Sequence, residues 1–431
     1  MKPISSLTDF AALRSLRNRN YRLFFTGQGT SMVGTWMQQL AVSWLVYRMT
    51  GSAMLLGLTA FSGRIPSFLL APFAGVLADR VNRRRLLVLT QSLAMLQAFS
   101  LTALVLMRTA TVWQIIGLSA FLGLVNAFDI PTRQAFIVDM LEKKEDLGNA
   151  IALNSSLVNA TRLLGPAIAG ILIAAVGEGV CFLINGFSYM AVIIALLMMK
   201  MGGPAEGKKK MERPAAGKNG FLRELKEGFS YAFGFSPIRS ILLLLALMSF
   251  LGMPYQVLMP IFAGSVLKGG PHTLGFLMGA SGLGSLAGAV YLASRKGAPR
   301  LGAMTPASAA VFSAGIMSFS FSRMLWLSLP LMAVTGFGMM VQIASSNMVL
   351  QIVVDDRKRG RVMSLFSMAF IGMLPLGSLL AGVLANRIGA PLTLLGCGIG
   401  CFAGSILFSI KLPALKRELA PVYRQKSSAV S

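Results

Sequence analysis

Long apolar stretches alternate with short polar segments along almost the whole chain. A stretch of about 20 residues with few charges is long enough to cross a membrane as an α-helix. These stretches predict an all-α membrane protein with twelve transmembrane helices, called spans 1 to 12. Their approximate bounds are 23–46, 53–78, 86–107, 112–134, 149–176, 180–199, 239–265, 273–294, 301–321, 325–353, 362–386 and 392–411.

The composition agrees with this pattern. Of the 431 residues, 55% are hydrophobic and 13% are charged, and the mean hydropathy is +0.69. A soluble domain has about 25% charged residues. The composition therefore excludes a soluble globular protein and favours a chain that lies mostly in lipid.

Positive charge is distributed unevenly between the two sides of the predicted membrane. The formal net charge is +25, and most of the 40 Lys and Arg residues fall in alternate connections and at the chain ends. Because cytoplasmic loops carry such an excess, both termini are expected in the cytoplasm and the protein in the inner membrane. Attraction to anionic membrane lipids accounts for the basic excess without a nucleic-acid partner. Residues 1–22 lack the apolar core of a signal peptide, so no removable leader is expected.

A polar stretch divides the spans six and six. The predicted parts are a cytoplasmic N-terminal segment, a first six-helix bundle, a cytoplasmic linker, a second six-helix bundle and a cytoplasmic tail: 1–22, 23–199, 200–238, 239–411 and 412–431. In the linker, apolar residues recur every four positions with charged residues between them, at Phe221, Leu225, Phe229 and Phe233. This spacing predicts a short amphipathic helix on the inner membrane surface.

The two halves also resemble each other. Gly148 precedes Gly165 by the same number of residues as Gly360 precedes Gly377, and the two pairs occupy equivalent places in spans 5 and 11. A duplicated six-span unit predicts two pseudo-symmetric bundles. This is the plan of many secondary transporters, in which the substrate site lies near the bilayer midplane.

The turn between spans 2 and 3 concentrates charge in a few residues. It reads Gly75-Val76-Leu77-Ala78-Asp79-Arg80-Val81-Asn82-Arg83-Arg84-Arg85. Together with the twelve spans, this turn resembles the signature of the major facilitator superfamily, which has a Gly, then Asp-Arg, then a Gly and a basic pair. Asn82 stands where the signature has Gly. Asn tolerates a left-handed turn conformation better than most residues, so the turn is expected to be preserved.

The resemblance implies a conformational latch on the cytoplasmic side. The turn would contact the start of span 11, where an N-terminal helix end attracts a carboxylate. The latch residues are Gly75, Asp79, Arg80, Arg83, Arg84, Gly360 and Arg361. For the arginine run alone, the alternative is a topology anchor.

Further phrases narrow the resemblance. Four of them resemble the branch that includes the enterobactin exporter and macrolide and tetracycline efflux pumps: 34–38, 45–52, 129–135 and 149–155. In span 5, Gly165, Pro166 and Gly170 resemble a signature associated with exporters and predict a helix bend. Ordinary close helix packing is the alternative reading of these small residues.

Asp129 is the one acidic residue that the sequence places within a span. A charged group at the bilayer centre costs at least about 2.5 kcal/mol. Asp129 is therefore the candidate for proton coupling, together with Arg133 four residues later on the same helix. The alternative is a structural ion pair between these two residues.

Several other polar side chains fall within the spans. Arg64 and Arg162 lie near the middle of spans 2 and 5, where a guanidinium has to face protein or water. The predicted substrate cavity is lined by Trp36, Gln39, Arg64, Asn126, Arg162, Tyr255, Gln342 and Asn347. Helix–helix hydrogen bonding is the alternative for each amide. Because the embedded charges all lie in the first half, one cavity wall is expected to be cationic and the other apolar.

The expected function is export of a bulky amphipathic small molecule, of siderophore or antibiotic type and with acidic or phenolic groups. Export would proceed by alternating access of a monomer. The proton gradient is the expected energy source, because the chain has no Gly-x-x-x-x-Gly-Lys phosphate loop. No cofactor, metal or enzyme activity is expected from one histidine and three cysteines without metal spacing. The alternatives are a lipid or lysophospholipid translocator and a membrane sensor or scaffold.

Overall fold

Helices make up nearly all of the described chain. The computed structural model describes residues 11–141, 144–200, 227–294, 298–355 and 358–428. Twelve long helices in these ranges, α1 to α12, follow the order of the predicted spans. Their bounds are Arg19–Thr50, Ala53–Arg80, Arg83–Leu106, Val112–Met140, Leu147–Val176, Glu178–Met198, Ser236–Val266, Pro271–Ala293, Ala298–Phe321, Leu325–Val353, Arg359–Ile388 and Ala390–Ser428. No strand occurs within these ranges, which confirms the all-α prediction.

Short helical segments precede or join the long helices. Two 3₁₀ helices cover Ala11–Arg17 and Lys144–Asp146. The linker is helical at 227–234, where the rings of Phe229 and Phe233 stack 5.7 Å apart. The earlier part of the predicted amphipathic helix, with Phe221 and Leu225, lies outside the described residues.

Side-chain caps fix where several helices begin. Asn18, Ser52 and Thr111 each accept a hydrogen bond from a backbone N–H in the first turn of α1, α2 and α4. Asn82 does the same for α3, accepting from the Arg85 N–H at 3.1 Å. Its backbone is extended, with φ −67° and ψ 109°. The expected left-handed turn at Asn82 was therefore wrong, because this residue serves as a helix cap.

Eleven of the described helices are both long and apolar enough to cross a membrane. The first helix, α1, has 32 residues but falls short in apolarity, because it carries several amide and hydroxyl side chains. Twelve spans are consistent with this result. A polar membrane helix has to direct its polar face toward protein or water, so α1 is expected to line the interior of its bundle.

Two helices are locally widened into π-helical turns. In α7 these turns cover Met248–Gly252 and Phe262–Val266, and in α11 one covers Met368–Gly372. A π turn leaves a carbonyl without its usual partner in the helix. The Phe370 carbonyl in α11 accepts a hydrogen bond from the Ser249 hydroxyl in α7, so two of these turns are joined.

Helix bounds support the internal repeat. Helices α5 and α11 each have 30 residues, and each is followed by one glycine before the next helix begins. These glycines, Gly177 and Gly389, have φ values of 84° and 85°, which favour glycine over other residues. Their separation equals that of Gly148 from Gly360, so the repeat extends through the ends of both helices.

The chain forms two compact units. The first contains Met1–Gly202 and Val257–Gly282, and the second contains Gly203–Gln256 and Leu283–Ser431. In the first unit, α1 packs on α5 and α6, α2 on α4, and α3 on α4 and α6. In the second, α9 packs on α10 and α12. The division into two bundles at the linker stays a prediction.

Each unit ties the segment before its first long helix to the start of its fifth. In the first unit, the Ser15 backbone N–H donates to Asn149 Oδ1 at 2.9 Å. In the second, Arg361 Nη1 lies 2.9 Å from Glu227 Oε2. Ser15 and Glu227 are separated by the same number of residues as Asn149 and Arg361, so the two contacts occupy equivalent positions of the repeat.

Glycine allows some helices to approach at backbone distance, and one such contact gives a prediction. On α8, a Cβ added to Gly284 would overlap the Ala333 carbonyl of α10, and both belong to the second unit. Gly284→Ala should therefore lower the unfolding free energy by about 1–3 kcal/mol. The measurement is thermal unfolding of purified protein, monitored by the labelling of the three buried cysteines as they become accessible.

Gly117→Ala on α4 is the matched control. A Cβ on Gly117 meets no atom within 4 Å, so alanine should raise stability there by about 0.5–1 kcal/mol through its better helix propensity. Equal effects at both positions would show that the α8–α10 contact is not close.

Candidate functional site

Trp36 and Arg162 come together in the first unit. Trp36 on α1 packs against α5 at Gly165, where an added Cβ would overlap the Trp36 side chain. One turn earlier on α5, the Arg162 guanidinium lies 5.9 Å from the centre of the Trp36 ring. A cation over an indole face is electrostatically favourable. Gly165 thus lets the ring approach α5 closely enough to meet the charge.

Arg64 lies on α2 and has no such neighbour. Among the described residues it forms no hydrogen bond, ion pair or ring contact, although its side chain is half-buried. The most exposed apolar residues of α2 in this region are Leu69 at 59% and Phe73 at 69%. They lie about 140° and 180° around the helix from Arg64 at about 100° per residue. Arg64 therefore lies on the opposite side of α2 from these exposed apolar residues.

Helix packing brings Arg64 and Asn126 to similar depths. On α2, Ser67 Oγ donates to the Gly123 carbonyl of α4 at 2.6 Å, and a Cβ on Gly123 would overlap the Gly63 backbone. Arg64 follows Gly63, and Asn126 lies one turn beyond Gly123. The two residues therefore occupy adjacent helices at levels that differ by about 3 Å.

Five polar or aromatic residues of the first unit form a thin layer, called the polar layer. Their distances from the predicted outer ends of their helices follow from a rise of about 1.5 Å per residue. These distances are about 17 Å for Gln39 and Arg64 and about 21 Å for Trp36, Asn126 and Arg162. Neither Gln39 nor Asn126 forms a hydrogen bond with a described residue. The polar layer lies near the middle of a hydrocarbon core about 30 Å thick.

Asp129, the predicted proton-coupling residue, is buried with 4% exposure. Its Oδ1 accepts hydrogen bonds from Thr90 Oγ1 at 2.9 Å and Gln91 Nε2 at 2.7 Å, both on α3. Its Oδ2 lies 3.7 Å from Arg133 Nε, as the spacing along α4 predicts. The two hydrogen bonds and the ion pair compensate the carboxylate charge within the protein. The geometry corresponds to the structural ion pair named above as the alternative.

The other three predicted cavity residues lie in the second unit. Tyr255 is buried, with its ring edge-to-face against Phe312 at 6.2 Å. Gln342 is buried and its Nε2 donates to Ser346 Oγ at 3.4 Å. Asn347 accepts a hydrogen bond from Gln351 one turn further along α10. Tyr255 and Gln342 thus share Phe312 as a neighbour, whereas Asn347 belongs to a separate polar pair.

A small pocket, with room for about one water molecule, lies beside Gln342. Its lining is mostly methionine and other apolar side chains, from Leu245, Met248, Ser249, Met253, Phe312, Met339, Gln342, Ile343 and Phe370. Met248, Ser249 and Phe370 belong to π turns of α7 and α11. The pocket therefore has an apolar wall with one amide, in contrast to the polar layer of the first unit.

The predicted latch residues separate into local contacts. Arg83 Nη1 donates to both carboxylate oxygens of Asp139, at 3.0 and 3.2 Å. Arg84 donates to the Leu197 carbonyl at 2.8 Å. Arg80 and Gly360 are exposed, Gly75 is half-buried, and Arg361 pairs with Glu227. The Asp79 side chain lies outside the described residues, so the latch stays a prediction.

Small residues of α5 provide close helix contacts. Pro166 lies inside α5, which continues as one helix through Val176. A Cβ on Gly170 would come within 2.8 Å of the Gly275 Cα on α8. The packing alternative is therefore realised at Gly165 and Gly170, and the functional bend stays a prediction.

Polar networks between helices were not predicted from the sequence. A buried amide chain runs from Asn185 through Gln38 to Gln97, with hydrogen bonds of 2.9 and 2.8 Å that join α6, α1 and α3. Near the predicted outer side, Arg48 pairs with Glu178, which is only 5% exposed, at 2.8 Å. The Arg48–Glu178 contact could have been predicted, because Glu178 is the one acidic residue that the sequence places among the few outer charges.

The helices, the repeat and the polar layer together define a membrane transporter of the major facilitator superfamily. Residues 10–431 match the family model described as transmembrane secretion effector, so the chain belongs to this family. This confirms the resemblance indicated by the Asp79 turn and by the efflux-branch phrases.

Individual relatives span nearly the whole chain. The staphyloferrin A transporter of Staphylococcus aureus (strain NCTC 8325 / PS 47) is 26% identical, over 92% of this chain and 98% of that protein. Macrolide efflux protein A of Streptococcus pyogenes is 23% identical, over 86% and 91%. A bacterial homologue of the human lysosomal transporter Spinster, in an inward-facing and unoccupied conformation, has a TM-score of 0.68. It is 13% identical over 94% of this chain and 98% of that one, and it supports the fold alone.

The Asp129 geometry gives a prediction about stability. Asp129→Asn keeps the acceptor for Thr90 and Gln91 but turns an NH₂ group toward Arg133, which loses its counter-charge. The unfolding free energy should fall by about 2 kcal/mol, and Asp129→Asn/Arg133→Gln should recover part of that loss. Thermal unfolding, monitored by cysteine labelling, measures the stability of the single and of the double variant.

Asp139→Asn is the control for this substitution. The Arg83–Asp139 pair is partly exposed, so its loss should cost about 1 kcal/mol or less. A stability loss at Asp139 as large as that at Asp129 would contradict the compensated burial of Asp129.

Proposed function

We propose that this protein is a secondary active exporter of a bulky amphipathic small molecule of siderophore or antibiotic type. Membership in the transmembrane secretion effector family makes it a transporter. The printed names of two relatives, a staphyloferrin A transporter and a macrolide efflux protein, support these two substrate types. The observation that carries the proposal is the polar layer, since polar and charged side chains at mid-membrane depth mark substrate pathways.

The proposed exporter works by alternating access of its two halves. It is a monomer in the inner membrane with both termini in the cytoplasm, as the distribution of basic residues favours. Its substrate site lies at mid-membrane depth, where duplicated transporters bind their cargo. The polar layer supplies the hydrogen-bonding groups of this site.

The proton gradient is the proposed energy source. Within the described residues, Asp129 is the acidic side chain placed inside a span, and three donor groups compensate it. One of these groups is the Arg133 guanidinium, which forms an ion pair with Asp129. Coupling through Asp129 therefore requires that helix movement during the cycle opens this pair.

Proteoliposomes test the transport proposal. Purified protein is reconstituted with an acidic lumen, and uptake of siderophores, macrolides and a fluorescent lysophospholipid is followed. Protein molecules that insert inside-out should export the substrate into the lumen. Export therefore appears as uptake of a siderophore or macrolide, and a protonophore should abolish this uptake. Flipping of the lysophospholipid without solute uptake would instead indicate a lipid translocator, and no transport of any compound would contradict the proposal.

Asp129→Asn tests the coupling step, with Arg387→Gln on the exposed outer end of α11 as the control. If Asp129 binds the coupling proton, the variant should keep downhill exchange but lose accumulation driven by the gradient, because Asn does not titrate. The fraction of folded protein is measured in parallel by cysteine labelling. Full retention of the response to the gradient would assign Asp129 to structure alone.

A further inference from the structure

Arg64 differs from the other two arginines that the sequence places in spans. Arg133 pairs with Asp129, and Arg162 lies over the Trp36 ring. Arg64 forms neither kind of contact with a described residue. The acidic residues of the first unit that form the other ion pairs bind different arginines. A guanidinium stays charged at every physiological pH. Among the described residues nothing compensates this charge at mid-membrane depth, so water or a bound molecule has to do so.

The surroundings of Arg64 add hydrogen-bonding capacity without negative charge. Asn126 lies at nearly the same level on the adjacent helix, and Gln39 lies at the same depth on α1. Neither amide is used by a described residue. The Trp36–Arg162 pair contributes an aromatic surface and a second cation in the same layer. Together these side chains offer donors, positive charge and an aromatic face, which complement an aromatic carboxylate.

We propose that Arg64 anchors a carboxylate of the exported molecule, with Asn126 and the Trp36–Arg162 pair as the rest of this anion subsite. The inference rests on the proposed export function and narrows its substrate class to aromatic or otherwise planar organic acids. The planar guanidinium binds a carboxylate through two parallel N–H···O bonds, which fixes both position and orientation.

Depth decides between a solute and a lipid as the source of the anion. Arg64 lies about 17 Å from the outer end of α2, which is more than half of a hydrocarbon core about 30 Å thick. The headgroups of the surrounding bilayer lipids remain at the interface, whereas a solute that the protein carries across the membrane passes this level. The carboxylate of a solute is therefore the partner that the position of Arg64 fits.

A binding measurement without transport tests the anion subsite. The probes are 1-hydroxy-2-naphthoate and its neutral amide, which differ only in that a CONH₂ group replaces the charged carboxylate. Each probe is titrated into protein in phosphatidylcholine nanodiscs. Thermal unfolding is monitored through the labelling of the buried cysteines. The acid should stabilise the wild type at lower concentration than the amide does.

Substitutions assign the effect to Arg64. Arg64→Gln should raise the half-saturating concentration of the acid by about 10-fold or more and leave that of the amide unchanged. Arg64→Lys should lose less, because it keeps the charge but not the planar fork. Asn126→Asp should also abolish acid binding, since it supplies Arg64 with a carboxylate from the protein. Arg387→Gln should behave as the wild type.

Three results would overturn the anion subsite. One is equal binding of acid and amide by the wild type, and another is unchanged acid binding by Arg64→Gln or Asn126→Asp. The third is Arg64-dependent stabilisation by phosphatidylglycerol in the nanodisc, with no effect of the acid, which would make a lipid the partner. Acid binding that persists while the proteoliposome screen detects no transport would contradict the export function and leave the subsite intact.

Discussion

Charge and hydrogen-bonding groups inside a membrane have to be compensated there, and this constraint organises the first unit. The hydrocarbon core offers no hydrogen-bond partners, so each polar group there needs a partner on another helix, on a bound molecule or in water within the protein. Asp129 has Thr90 and Gln91 on α3 and Arg133 on its own helix. These contacts fix α3 against α4 through one carboxylate. The network therefore serves as a structural joint of the unit.

The same constraint explains why small residues recur at helix contacts. Lipid chains are as apolar as leucine, so helices gain little from burying apolar surface against each other and depend on close packing and polar contacts. Gly170 allows α5 to approach α8 at backbone distance. Gly165 does more, because the space it leaves is filled by Trp36, whose ring then meets the Arg162 guanidinium. Packing and the arrangement of the polar layer thus depend on the same glycine.

The parts of this structure that a sequence can predict are those set by local pattern. Apolar stretches gave twelve helices in order, and the glycine spacing gave the repeat, because both depend on residues near each other in the chain. The Asp129–Arg133 contact could be foreseen for the same reason, since residues four apart share a helix face. Asn82 shows the limit of local reasoning: its side chain caps α3, and this preference outweighed the turn conformation expected from the signature.

Contacts between segments that are distant in the chain could not be predicted from local sequence pattern. Nothing in the positions of Gln38, Gln97 and Asn185 says that they meet, because their pairing depends on which faces of three helices pack together. The π turns of α7 and α11 have no clear sequence signal either, since they contain ordinary apolar residues. The Ser249–Phe370 hydrogen bond joins two of them, so a carbonyl in the irregular backbone of α11 is satisfied by a side chain of α7.

The two units solve the compensation problem in different ways. In the second unit, the pocket around Gln342 is lined mostly by methionine and other apolar side chains, which adapt to varied shapes without strict geometry. In the first unit, groups with defined directions lie at mid-membrane depth, and Arg64 has no partner among the described side chains. A flexible apolar wall tolerates many hydrophobic groups, whereas a guanidinium discriminates by charge. In the proposed exporter, discrimination by charge is therefore expected to depend on the first unit.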